Sequence, residues 1–237
     1  MDCLKIDEGM AIYQGEALSI LRRLPMDSVD AVITDPPYST GGMTLASRQA
    51  DPASKYQSSG TKKTYPPMLG DTRDHLGDNV AFRMLAGSEG RCALAGFYRL
   101  AAITYKTDAI QAAGWMWRGI VVWHKPSARP MIGEFRRDSE FIVYASKGKP
   151  THYTRRCFPG VIHCPVNTAT KVHITGKPLA LMQDLMEIVK PGGTVLDPFL
   201  GGGTTAHAAM LTGRKCIGVE LSPGYAQLSA DRLLNID

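Results

Sequence analysis

Thr34-Asp35-Pro36-Pro37-Tyr38 sets a carboxylate, two prolines and an aromatic ring in consecutive positions, directly after the β-branched run Ala31-Val32-Ile33-Thr34. That run reads as a short buried parallel strand, and in open α/β sheets ligands collect at the carboxyl ends of such strands. The prolines stiffen the turn and fix where its carbonyls point. An amino group on an aromatic ring is a poor nucleophile, because its lone pair is delocalised. Two acceptors, the Asp35 carboxylate and the Pro36 carbonyl, could take its two N–H hydrogens and draw the nitrogen toward tetrahedral geometry. Tyr38 offers a face on which the ring itself could stack. A purely structural Pro-Pro turn explains an isolated dipeptide, but not the acid before it and the aromatic after it.

A second group of residues lies far along the chain. Asp197-Pro198-Phe199-Leu200-Gly201-Gly202-Gly203-Thr204-Thr205 follows the strand-like Thr194-Val195-Leu196 and opens a helix over Thr204 to Leu211. Cys216-Ile217-Gly218-Val219 reads as the next strand and ends at Glu220. Glycines let the backbone pass close to a ligand where a strand hands over to a helix. An acid about 20 residues on, at the end of the second strand, is placed to bond ribose hydroxyls. Taken alone, the glycine turn is equally compatible with a tight turn that binds nothing. No lysine follows the glycines as a triphosphate-binding loop requires, so the pattern suits an adenosine.

Together these motifs resemble the amino-methylating DNA methyltransferases, with their (Asp/Asn/Ser)-Pro-Pro-(Tyr/Phe/Trp) loop and Phe-x-Gly-x-Gly turn. The loop precedes the turn here, which is the β-class order, and the resemblance, to phage-like or solitary members, covers nearly the whole chain. His173-Ile174-Thr175-Gly176-Lys177-Pro178 is similar to the family's His-Pro-Thr-x-Lys-Pro element, with Ile174 in place of proline. The resemblance implies a Rossmann-like α/β fold with a largely parallel, doubly wound sheet, S-adenosylmethionine as cofactor and double-stranded DNA as substrate. Asp35, Pro36, Pro37 and Tyr38 would be catalytic. Asp35, Thr175, Lys177, Pro178, Asp197, Phe199, Gly201, Gly203, Thr204 and Glu220 would line the cofactor, with Thr175, Lys177 and Pro178 on its methionine side. Methyl transfer of this kind needs no metal, and His124, His152 and His163 read as exposed loop residues without a catalytic role. The leading aspartate points to adenine, which would be flipped from the duplex. Cytosine N4 methylation, a catalytically impaired DNA-binding homologue, and an RNA or protein-glutamine methyltransferase are the alternatives. The last is disfavoured by the motif order.

One stretch departs from the family. Gly96-Phe97-Tyr98-Arg99-Leu100-Ala101-Ala102-Ile103-Thr104 stands where phage-type members carry Phe-Thr-Asp-Trp-Arg-Gln. Suitable codons for these residues, read one nucleotide later, yield that very run. A local reading-frame excursion is therefore the expectation, restored before Thr107, with a strand end beside the site in doubt.

The elements that must position these groups follow from periodicity. Ile12 to Leu24 has helical spacing and stops at Pro25; Val80 to Leu85 suits a helix, and Thr107 to Ala113 the end of one, closed by Gly114. Leu94 to Tyr105 fits no single element. Trp115 to Trp123 and Phe141 to Tyr144 read as strands, Pro178 to Val189 as an amphipathic helix, and Ser222-Pro223 as the start of a terminal helix. One methyltransferase domain fills the 237 residues: a catalytic-loop segment 1–38, a mobile lid or DNA loop 39–78, a target-recognition region 125–170 and a cofactor segment 171–237. Arg48, Lys55, Lys62, Lys63, Arg129, Arg136, Arg137, Arg155 and Arg156, in the two polar stretches, are the candidate DNA contacts.

The formal charge of +5 suits a nucleic-acid partner without requiring one. Five scattered cysteines, Cys3, Cys92, Cys157, Cys164 and Cys216, suggest reduced buried thiols. Charges throughout Met1 to Met10 and the absence of a long apolar run point to a cytoplasmic protein with no membrane contact. A homodimer is expected, since one compact lobe covers little DNA.

Overall fold

The computed structural model describes residues 2–5, 9–36, 93–98, 100–130, 132–149, 153–166 and 176–235. The expected lid 39–78 and the helix over Val80 to Leu85 lie outside them. In chain order the elements are β1 (Asp2–Lys5), β2 (Met10–Gln14), α1 (Ala17–Leu21), β3 (Ala31–Thr34), β4 (Ala93–Tyr98), α2 (Leu100–Ala112), β5 (Met116–His124), β6 (Ser139–Ser146), β7 (Val161–His163), α3 (Leu179–Met186), β8 (Thr194–Asp197), α4 (Thr204–Leu211), β9 (Lys215–Glu220) and α5 (Pro223–Leu234). They build one sheet in the order β1-β2-β9-β8-β3-β4-β6-β5-β7. Pairing is parallel from β2 through β9, β8 and β3 to β4, and again between β5 and β7. It is antiparallel at β1/β2, β4/β6 and β6/β5. The largely parallel α/β sheet expected from the sequence is thus observed, with an antiparallel hairpin of β5 and β6 on one side.

Strand β3 is buried on both faces, which is why it reads as an unbroken apolar run rather than an alternation. Its side chains divide between two cores. Ala31 and Ile33 join Phe97, Trp123, Leu181, Met186 and Ala208 on one face, while Val32 joins Leu21, Leu94, Ile110 and Trp115 on the other.

Two expectations need correction, and a third gains its reason. The helical reading of Ile12 to Leu24 gives way to β2 followed by the short α1. Met10 and Ile12 are buried in alternation and pair with β9, and Glu16 caps α1 by accepting from the Leu18 and Ser19 amides at 2.9 and 2.7 Å. Leu94 to Tyr105 fits no single element because it is two, β4 and the first turns of α2. The region 125–170, in which only Phe141 to Tyr144 reads as a strand, also contains β7, whose three residues are too few to show a period. Helix α4, by contrast, has the expected bounds, set between Gly203 and Gly213, both with positive φ.

Candidate active site

The carboxyl ends of β3 and β8 meet because these strands are neighbours, with Ala31 opposite Val195 and Val32 opposite Leu196. Asp197 joins them. Its Oδ1 accepts from the Thr34 hydroxyl at 2.8 Å and the Phe199 amide at 3.1 Å, and its Oδ2 accepts from the Thr205 hydroxyl at 2.6 Å. Only 2% of Asp197 is exposed. It lies beneath the glycine turn, tying it to the strand that carries Asp35, rather than on the turn's open face. Burial pushes its carboxyl up to about 6, against the pull of its three hydrogen bonds.

Asp35 follows β3 immediately. Its Oδ2 pairs with the Lys177 ammonium at 3.1 Å, whereas its Oδ1 is buried and has no hydrogen-bond partner among the described residues. Desolvation pushes the Asp35 carboxyl above its ordinary value, and the Lys177 charge opposes this. Lys177 is held from several sides. It bonds Glu140 Oε2 at 3.1 Å and sits 4.9 Å from the centroid of the Phe97 ring and 5.7 Å from that of Trp123. Those rings meet edge-to-face, and the Trp123 indole N–H donates to the Cys164 carbonyl at 2.8 Å. Glu140 Oε1 takes a second cation, Lys125, at 3.0 Å. Although desolvation pushes the Glu140 carboxyl up, its two lysines hold it below the usual glutamate value.

The departing stretch at Gly96 therefore does not disrupt the strand end: β4 is intact, and Phe97 is fully buried against Lys177. Lys177, expected on the methionine side of the cofactor, points its ammonium at Asp35. Pro178 starts α3. Glu140 and Lys125 were missed in the sequence. The available signal was an acid, Glu140, leading directly into the apolar run Phe141-Ile142-Val143.

The glycine turn is shaped from below and behind. Glu220 accepts from the Gly201 amide and the Ser222 amide, each at 2.8 Å, so its carboxylate is oriented at the carboxyl end of β9. Helix α5 grips the turn's carbonyls. The Ser229 hydroxyl donates to Gly201 at 2.7 Å, and Arg232 donates to the Gly202 carbonyl, the Thr204 hydroxyl and His207 Nδ1 at 3.1, 3.2 and 3.1 Å. Desolvation and then the Arg232 charge hold His207 below its usual range, as suits a neutral ring accepting at Nδ1. Ser229 and Arg232 are further residues that the sequence did not reveal.

Gly203 occupies the left-handed region at φ +77°, and a Cβ there would stand 3.0 Å from Ser229 Cβ and 3.2 Å from Ser229 Cα. Gly203→Ala is accordingly expected to cost about 2–3 kcal/mol of stability, from left-handed strain plus the clash with α5. Urea denaturation checks this, and a loss under about 0.5 kcal/mol would mean that the turn shifts freely.

The remaining predicted residues are dispersed. Pro37, Tyr38, Arg48, Lys55, Lys62, Lys63, His152 and Thr175 lie outside the described residues. Arg129, Arg136 and Arg155 are exposed. Arg137 pairs with Glu134 at 3.5 Å. Arg156 bonds Glu187 at 2.7 Å and stacks near Phe158, beside the hydrogen bond from the Tyr153 hydroxyl to the Glu187 carbonyl; it fastens residues 153–158 to the end of α3. His124 and His163 are not loop residues. They end β5 and β7, and their Nδ1 atoms lie 2.9 Å apart. The cysteines also differ from expectation: Cys164 and Cys216 are buried, but Cys3 and Cys157 are exposed. Among the described residues no His, Cys, Asp and Glu cluster could hold a metal, and no helix is long and apolar enough to cross a membrane. A cavity of about 780 Å³ lies at the amino ends of β3 and β4, lined by Asp30, Ala93, Ile142, Tyr144 and Leu185. It includes neither Asp35 nor the glycine turn.

Comparison with known proteins gives a consistent result. The sequence model of a family described as DNA methylase, covering N6 and N4 methyltransferases, matches residues 29–231. Type II methyltransferase M.Cfr9I of Citrobacter freundii is 27% identical, over 97% of this chain and 89% of its own length. Among solved structures, the complex of M1.HpyAVI with SAM superposes with a TM-score of 0.67 at 24% identity, covering 96% of this chain and 100% of that one. PvuII DNA methyltransferase, cytosine-N4-specific, does so with a TM-score of 0.68 at 17% identity, covering 97% and 87%.

Proposed function

Because the chain belongs to the N6/N4 DNA methylase family, we propose that it transfers a methyl group from S-adenosylmethionine to the exocyclic amino group of a flipped adenine in duplex DNA. The observation that carries this reading is the divided Asp35 carboxylate, with one oxygen anchored by Lys177 and the other buried and unpartnered among the described residues. Such an oxygen is costly unless a ligand hydrogen reaches it. Asp35 Oδ1 accepts one amino hydrogen of the target base, the Pro36 carbonyl accepts the other, and Tyr38 stacks on the base.

The residues fit an adenosine-bearing cofactor. The glycines at the end of β8 put no side chain between the backbone and a ligand, and Glu220, oriented by two amides, keeps lone pairs for ribose hydroxyls. Phe199, Gly201, Gly203 and Thr204 belong to that turn, and Thr175, Lys177 and Pro178 are assigned to the methionine end of the cofactor. S-adenosylmethionine supplies a methyl group on a positively charged sulfur. The protein contributes orientation and exclusion of water.

Transfer of labelled methyl groups to duplex DNA, followed by nucleoside analysis, tests the reading. Label in N6-methyladenine is expected. Label in N4-methylcytosine would keep the enzyme but change the base, a reading favoured by the cytosine-N4-specific name of the PvuII relative in fold. No transfer despite DNA binding would favour the impaired homologue.

DNA contacts are assigned to Arg48, Lys62, Lys63, Arg129, Arg136, Arg137, Arg155 and Arg156, and a homodimer would extend the footprint. Replacing Arg136 and Arg137 together is expected to weaken binding to every duplex and reduce the salt slope by about 2. An unchanged slope in filter binding at several salt concentrations would remove them from the interface.

A further inference from the structure

Lys177 stands between two carboxylates at equal distance, 3.1 Å from Asp35 Oδ2 and 3.1 Å from Glu140 Oε2, with 7% of its side chain exposed. Glu140 is in turn fixed by Lys125 at 3.0 Å. We propose that Glu140 is a positioning residue: anchoring Lys177 from β6, it holds the ammonium on Asp35 Oδ2 and away from Oδ1, the oxygen that receives the target amine. This rests on the methyltransferase reading above and adds to it a residue that touches neither base nor cofactor.

The geometry gives the reason. An ammonium has three donors, and one paired with a single carboxylate is free to straddle both of its oxygens. Glu140 removes that freedom by engaging the ammonium from the opposite side, while the Phe97 and Trp123 rings limit sideways movement. Lys125 keeps Glu140 from following Lys177. Two cations and two carboxylates balance, so the arrangement is tolerated in a largely enclosed place.

The charged groups facing Asp35 among the described residues are Lys177 ahead of α3, Glu140 on β6, Lys125 behind Glu140 at the end of β5, and Asp197 on β8. Their signs fix how the acid limb of the pH–rate profile responds. Glu140→Gln removes a negative charge, so Asp35 ionises more readily and the limb moves to lower pH. Methyl transfer nevertheless slows, because Lys177 loses the charge that draws it away from Oδ1 and shifts toward that oxygen. Lys125→Met removes one of the two cations that offset the Glu140 charge, and Lys177→Met removes the cation on Asp35, so both move the limb to higher pH.

Single-turnover methyl transfer to duplex DNA, measured across pH alongside titration of S-adenosylmethionine binding, tests this. Glu140→Gln is expected to slow transfer about tenfold at neutral pH and to lower the acid limb by about half a unit, with cofactor affinity within about twofold of wild type. Glu140→Asp restores the limb and part of the rate. A wild-type rate in Glu140→Gln, or a limb that stays put or rises, overturns the proposal. If that variant does not fold, Lys125→Met decides: a raised limb supports the proposal and an unmoved one overturns it. Absence of transfer by the wild-type protein would instead overturn the methyltransferase reading.

Discussion

Asp35→Ala is expected to lower methyl transfer to DNA by roughly 10³-fold, the scale seen when a preorganised hydrogen-bonding group is removed from a transition state. Binding of S-adenosylmethionine should stay within about threefold. The substitution deletes the only buried oxygen at the mouth of β3 that lacks a partner among the described residues, the one suited to draw a hydrogen from the target amine. It leaves Lys177 with Glu140, 3.1 Å away, so no buried cation is orphaned and the fold should hold. Because the interaction strengthens as the nitrogen turns tetrahedral, the loss should fall on kcat rather than on KM for DNA. Turnover equal to wild type would take Asp35 out of the site. A rise in KM alone would make it a binding residue.

The second large effect is expected at Asp197. Asp197→Ala removes the acceptor shared by Thr34, Thr205 and the Phe199 amide, leaving two buried hydroxyls and one amide unmatched. A loss of about 3–5 kcal/mol follows, together with weakened cofactor binding as the turn comes away from β3. The pH dependence has a definite sign. With its carboxyl raised to about 6 in the native state, above the ordinary aspartate value, the folded protein binds this proton more tightly than the unfolded chain. Stability from this group therefore falls as pH rises from about 4 to about 6, and the deficit of about 3 kcal/mol is complete above that window. Asp197→Asn cannot titrate. Urea midpoints at pH 5 and pH 7 should differ less in this variant than in wild type, and equal differences in both proteins would contradict the assignment.

What the sequence makes legible is whatever is local. Ala31 to Thr34 shows itself as a strand because Ala31, Val32 and Ile33 run without a polar break and prolines follow soon after, and Thr204 to Leu211 shows itself as a helix because glycines punctuate both ends. Asp35 and Glu220 stand at strand ends, where a carboxylate needs an explanation. Strand β2 was concealed because its five residues, read with the turn and α1 behind them, mimic helical spacing. The antiparallel placement of β6 between β4 and β5 depends on its pairing with β4 across the intervening α2 and β5. The residues that complete the site, Glu140, Lys125, Ser229 and Arg232, come from other elements and reach it only through the sheet order and the packing of α5. Their chemistry is ordinary in isolation and acquires meaning from what each one touches.

Strand β2 lies beside β9, with Met10 opposite Cys216, and β3 lies between β4 and β8. The sheet is thus closed by contacts between strands that are widely separated along the polypeptide. Such a topology has a high contact order, and long loops must be closed before these pairings stabilise anything. On a ribosome adding about 5–20 residues per second, β2 emerges roughly 10–40 seconds before β9 exists to pair with it. For that interval an apolar strand edge is exposed on the nascent chain, where a chaperone or another nascent chain can reach it first.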